Sequence, residues 1–211
     1  CALPIYFNVN SSPLFLKSNF IRKVVEDNFN RLWTTSNNGI DIIDLKTMKK
    51  STISHTDNLF GTVSDTPAIT IFKDRKGSIW VVSTENMYKL EFDTKGNIQR
   101  IYTTVQKGSP YRFTCISEID NEIWAGNDGA VYKITEGQSG KLNLQLVSTH
   151  FSISSNLFIS NILKKDNAIW MATEDGLFRY NDINQPPVHY LHNPLNQYSR
   201  SEEHTSELQS R

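Results

Sequence analysis

The chain is 211 residues long, with 22 Lys and Arg against 22 Asp and Glu, a formal net charge of zero, and 38% hydrophobic residues. That balance supplies no sustained field for nucleic acid or an anionic membrane surface, and no apolar run approaches the roughly 18–20 residues of a membrane-spanning helix. With only Cys1 and Cys115, and no Cys/His spacing of the zinc-site kind, neither a disulfide framework nor a bound metal is expected.

Residues 1–17 form a poorly defined N-terminal segment, and Cys1-Ala2-Leu3-Pro4 has neither the basic nor the apolar region of a signal peptide. A first block, about residues 18–62, holds the apolar stretch around Leu32-Trp33 and a turn at Asn37-Asn38-Gly39. The second block, about 67–108, parses into four strands: Ile69–Lys73, Ser78–Ser83, Met87–Phe92 and Asn97–Thr103. Its turns fall at Asp74-Arg75-Lys76-Gly77, Glu85-Asn86 and Asp93-Thr94-Lys95-Gly96. The third and fourth blocks, about 111–150 and 157–199, repeat this with shorter first turns at Asp120-Asn121 and Asp166-Asn167. No stretch carries a capped apolar stripe of helical period, so the expected class is all-β. Residues 200–211 break from this pattern and resemble the in-frame translation of a sequencing-library adapter; they are expected to be a disordered tail that packs against nothing.

Every tryptophan occupies the same phase of one repeat. Trp33, Trp80, Trp124 and Trp170 are spaced 47, 44 and 46 residues apart, and each follows an aliphatic residue: Leu32, Ile79, Ile123 or Ile169. Periods of about 40–50 residues built from short strands indicate a β-propeller. The second strands, such as Ile79-Trp80-Val81-Val82, are apolar at successive positions, whereas a half-exposed strand alternates. Apolar residues on both faces fit a blade sandwiched between neighbours, so the four tryptophans are expected to form the blade core. Gly39, Gly129 and Gly176, with Asn86 in the second repeat, suit the tight turns that follow.

Ile169-Trp170-Met171-Ala172-Thr173-Glu174-Asp175-Gly176-Leu177-Phe178-Arg179-Tyr180 resembles the two-component regulator propeller repeat, and Leu32–Ile40 is a second copy of the same pattern. The other two copies depart at Asn86 and at Asn127, where the family pattern has Thr. The resemblance covers about residues 18–190. It implies four four-stranded antiparallel blades forming an open arc of a larger propeller, of about seven blades in that family. It further implies a periplasmic sensor region of a hybrid histidine kinase in the inner membrane, oligosaccharide sensing, and further blades and signalling domains in the same protein. An open arc leaves a sheet face uncovered at each end, which makes a homodimer one expected outcome.

No nucleophile elbow, phosphate loop or metalloprotease motif occurs, so the chain is read as non-catalytic, without a cofactor and without nucleic acid as a partner. A propeller enzyme (lyase or hydrolase) and a protein-interaction scaffold are the rival readings. His55, His150, His189 and His192 fall at or beside fourth strands, the outer edges of blades, where solvated or edge-pairing roles are expected rather than metal ligation. The candidate ligand-binding residues are those of the turns between second and third strands: Asn37, Asn38, Glu85, Asn86, Asn127, Asp128, Glu174 and Asp175. Their amides and carboxylates could hydrogen-bond sugar hydroxyls, and the plainer reading of each is good turn chemistry.

Overall fold

The computed structural model describes residues 16, 18–52, 68–83, 86–104, 113–127, 129–148 and 158–192. Sixteen strands among these form four antiparallel meanders. The first sheet holds β1 (Ile21–Glu26), β2 (Arg31–Ser36), β3 (Gly39–Asp44) and β4 (Lys49–Thr52). The second holds β5 (Ala68–Lys73), β6 (Ile79–Ser83), β7 (Met87–Phe92) and β8 (Ile98–Thr103). The third holds β9 (Cys115–Ile119), β10 (Glu122–Gly126), β11 (Val131–Glu136) and β12 (Leu142–Ser148). The fourth holds β13 (Ile159–Lys165), β14 (Ala168–Thr173), β15 (Gly176–Tyr180) and β16 (Val188–Tyr190). Within each sheet the strands pair in chain order. The first strands pack in succession, β1 against β5, β5 against β9 and β9 against β13, and no comparable contact joins the fourth sheet to the first among the described residues. The fold is an arc of four β-propeller blades.

Three apolar layers lie between successive blades. Trp33, Ile40 and Ile42 meet Ile71, Ile79, Val81 and Leu90 of the second blade. Trp80, Val82 and Met87 meet Ile116, Ile123, Ala125 and Ile134 of the third. Trp124 and Val131 meet Ile159, Ile162, Met171 and Phe178 of the fourth. Each tryptophan thus faces forward, onto the next blade. Trp33, Trp80 and Trp124 are 0%, 2% and 5% exposed, while Trp170, on whose forward side no described residue of another blade packs, is only half-buried. Burying one indole contributes up to about 4–6 kcal/mol by area.

The two ends of the arc differ. On the backward face of the first sheet Asp41 and Ile43 are buried, and Leu16 packs on Ile43. The forward face of the fourth sheet is open, with Leu163 47%, Val188 46%, Tyr190 45% and Leu177 37% exposed. The uncovered end face expected of an arc is therefore present at the fourth blade, while the first is covered at these positions.

Local chemistry sets the turns. In the first two blades an Asp six residues before the Trp organises a four-residue turn. Asp74 Oδ1 accepts the Ser78 amide at 2.8 Å and Oδ2 accepts Trp80 Nε1 at 2.8 Å. Asp27 does the same for the Arg31 amide at 3.1 Å and for Trp33 Nε1 at 2.8 Å. In the third and fourth blades the Asp lies four before the Trp, within a two-residue turn. Asp120 and Asn121 have φ of 51° and 65°, and Asp166 and Asn167 of 51° and 59°, the paired positive values of a type I′ hairpin. Shortening the loop removes the acceptor, and Trp124 Nε1 is buried without a hydrogen-bond partner.

Candidate ligand-binding face

The β2–β3, β6–β7, β10–β11 and β14–β15 turns emerge at one end of the blades, the end nominated by sequence. Hydroxyl or amide clamps hold these turns, and Asn37 reaches β1 instead. Asn37 Oδ1 accepts from Arg22 Nε and Nη2 at 3.0 and 2.7 Å, on the exposed surface. The Asn38 amide donates to Ser36 Oγ at 3.1 Å, and Ser36 Oγ donates to Gly39 O at 3.2 Å. Ser83 and Asn86 repeat this, with the Asn86 amide 3.0 Å from Ser83 Oγ. So do Thr173 and Asp175, at 3.2 Å. In the third blade Asn127 replaces the hydroxyl: its Oδ1 accepts the Ala130 amide at 3.0 Å. The departure from Thr at Asn127 is thus a change of residue with the clamp retained.

Glu174 and Asp175 are exposed, and the Asp175 carbonyl bonds His189 Nε2. His189 stacks on Phe178 at 3.9 Å between ring centroids, on the outer strand of its blade. Gly176 holds this turn close to the same strand: its φ is 97°, and a Cβ there would lie 2.4 Å from Tyr190 O. Glu85, Asp128, His55, His150 and residues 200–211 lie outside the described residues. Among the described residues, no group of three or more His, Cys, Asp or Glu is arranged to hold a metal ion.

At the opposite end, where first and third turns emerge, a cleft of about 290 Å³ opens between the second and third blades. Its walls include Asp74, Lys76, Glu118, Asn121, Glu122 and Lys133, and Lys89 forms part of its floor. Lys89 Nζ lies 2.5 Å from both Glu91 Oε1 and Glu136 Oε1, with its side chain 2% exposed. It sits over the rings of Tyr102 and Trp80, 5.3 and 5.8 Å from their centroids. Burial pushes the ammonium toward neutrality, but the hydrogen bonds to Glu136 and Glu91 outweigh it and hold the pKa above the usual lysine value. The same bond from Lys89 holds Glu136 below its usual value.

Lys89 stands directly across from Trp80, Lys133 across from Trp124 and Arg179 across from Trp170. The recurrence of a basic residue nine positions after each of these tryptophans was visible in the sequence. The acidic partner of Lys89 on the next blade was not, because nothing local marks Glu136; Lys133 pairs instead with Glu122 of its own blade, at 2.8 Å. Cys115 is buried beside Ile159, and burial pushes its thiol up to about 12, so it is no nucleophile.

No family model and no curated protein matches the chain. Solved structures do. The extracellular domain assigned to the hybrid two-component system BT4673 of B. thetaiotaomicron superposes with a TM-score of 0.63 at 16% identity, over 85% of this chain and 23% of that one. The corresponding domain of BT3049, from the same organism, gives 0.63 at 19% identity, over 94% of this chain and 25% of that one. Virginiamycin B lyase from Staphylococcus aureus, an inactive variant solved with quinupristin, gives 0.55 at 17% identity, over 84% of this chain and 58% of that one. These likenesses define the class of protein as a β-propeller. The chain spans about a quarter of the length of the two-component domains it matches.

Proposed function

We propose that this chain is a non-catalytic sensor module, part of the periplasmic region of a two-component regulatory protein of the inner membrane, and that it contributes to oligosaccharide recognition. The observation that carries the reading is the likeness to two extracellular domains of hybrid two-component systems over 85% and 94% of the chain. The two-component propeller pattern at Leu32–Ile40 and Ile169–Tyr180 supports it from the sequence side. In this reading the remaining blades and the signalling domains belong to the same polypeptide, and the turn residues Asn37, Asn38, Glu85, Asn86, Asn127, Asp128, Glu174 and Asp175 present the ligand-facing amides and carboxylates. A homodimer is compatible with this arrangement.

The test is a thermal-shift and calorimetry screen of the purified chain against pools of defined oligosaccharides. Binding to one pool, weakened by Asp175→Ala and Asn38→Ala together, is the expected result. Absence of heat and of a Tm shift for every pool would remove the ligand assignment. The second reading, a lyase, draws on the likeness to virginiamycin B lyase. Turnover of quinupristin by the chain would establish it and displace the sensor reading.

A further inference from the structure

We propose that Asn38 is a site of spontaneous covalent modification: with Gly39 it closes to a succinimide, and hydrolysis of that ring leaves aspartate or isoaspartate at the tip of the first blade's β2–β3 turn. The modification stands independently of the sensor reading. Only its effect on ligand binding rests on that reading.

The fold itself creates the reactive pair. Gly39 and Gly176 open the third strands of their blades at φ of 107° and 97°, a region that favours glycine. The turn position before each suits Asn or Asp, and it holds Asn38 and Asp175. The first turn therefore contains an Asn–Gly bond, and no other occurs in the chain. Glycine matters twice here. It accepts the backbone of the turn, and it places no side chain in the way of its own nitrogen as that nitrogen approaches Asn38 Cγ. Asn37 and Asn38 are both exposed, but Asn37 Oδ1 is held by Arg22 and the residue after it carries a side chain. The asparagines in the corresponding turns of the next two blades are tied down. Asn86 is followed by Met87, whose amide donates to Thr104 Oγ1 at 2.9 Å, so the attacking nitrogen is occupied. Asn127 is buried, and its Oδ1 accepts the Ala130 amide at 3.0 Å.

The step needs only water and hydroxide. The Gly39 amide gives up its proton, and its nitrogen bonds to Asn38 Cγ. The Cγ–Nδ2 bond then breaks, and the side-chain nitrogen takes a proton from solvent and leaves as ammonia. Water adds to the ring at Cγ to give aspartate, or at the Asn38 main-chain carbonyl to give isoaspartate, whose backbone is one methylene longer. Gly39 pairs with Ser36 across the turn, so the ring closes while the turn is locally open. The product alters the face in two ways. It sets a carboxylate beside the Arg22–Asn37 contact, in competition for the guanidinium, and isoaspartate displaces the Asn38 amide from Ser36 Oγ.

The experiment incubates the full folded chain at neutral and at alkaline pH and follows the tryptic peptide Leu32–Lys46 by mass spectrometry, where fragment ions separate Asn37 from Asn38. The expected result is a mass rise of about one dalton at Asn38. It should form at least about tenfold faster than at Asn37, Asn86 or Asn127, whose following residues all carry side chains. Isoaspartate should exceed aspartate, and the rate should rise about tenfold per pH unit, because the attacking nitrogen must first lose its proton. Aspartate without isoaspartate would mean direct hydrolysis and would overturn the succinimide route. A rate at Asn38 no greater than at Asn37 would overturn the site, as would conversion that occurs in urea but not in the folded chain. Asn38→Ser keeps a residue suited to the turn and should abolish the change in this peptide; a change that persists would assign it to Asn37. None of these readouts uses a ligand, so failure here is distinguishable from failure of the sensor reading.

Discussion

The carboxylate of Asp74 accepts the indole N–H of Trp80 at 2.8 Å while its other oxygen accepts the Ser78 amide, so one buried side chain fixes both a turn and the tryptophan that the next blade covers. Asp27 and Trp33 repeat the relation, and Asp120 and Trp124, two residues closer in sequence, do not.

Asp74→Ala should therefore destabilise the chain by about 1–3 kcal/mol, since it strands a buried indole N–H and a turn amide. Asp120→Asn should cost well under about 1 kcal/mol, because Asp120 is exposed and Asn tolerates its φ of 51°. Urea denaturation of both variants decides. Equal losses would show that the indole bond contributes nothing distinctive.

Trp80→Ala should cost about 3–5 kcal/mol, the range for truncating a fully buried large side chain. Trp170→Ala should cost clearly less, because its forward face is not covered by a following blade. A Trp170 variant as damaging as the Trp80 variant would contradict the difference in burial.

The Lys89–Glu136 bridge predicts a pH dependence with opposite signs at its two ends. Glu136 has a folded pKa below its usual 4.5, so its contribution is present above that value and is lost as pH falls through the lower folded pKa. Lys89 has a folded pKa above its usual 10.5, so its contribution is present below that value and is lost as pH rises through the higher folded pKa. Lys89→Met should remove both slopes and lower stability near neutrality, since Glu91 and Glu136 are then left without their cation. Urea midpoints measured from pH 3 to 11 test this. Parallel profiles for wild type and variant would exclude the bridge as their source.

Cys115 should be unreactive toward a disulfide reagent at pH 8 in the folded chain, and fully reactive in urea. Its thiol is buried and pushed up to about 12, which leaves almost no thiolate near neutrality. Fast labelling of folded protein would place the third and fourth blades apart in solution.

The sequence by itself determined the repeat, the all-β class and the places of the turns, because each is written in local pattern. A tryptophan at a constant phase, second strands apolar on both faces, and Gly or Asn in the turn that follows are each legible from a few neighbouring residues. Even the substitution at Asn127 is local: its amide clamps the turn that Ser36, Ser83 and Thr173 clamp with a hydroxyl. Tertiary structure alone decided which tryptophan is covered, since Trp170 shares the repeat phase and the preceding aliphatic residue of the others and differs in that no described residue of a following blade packs on it. It also decided that the cleft between the second and third blades opens at the end opposite the turns nominated for binding, and that Lys89 meets Glu136, 47 residues away. Such pairings depend on how one blade is set against the next. That setting is an outcome of packing two sheet faces together, and no short stretch of chain encodes it.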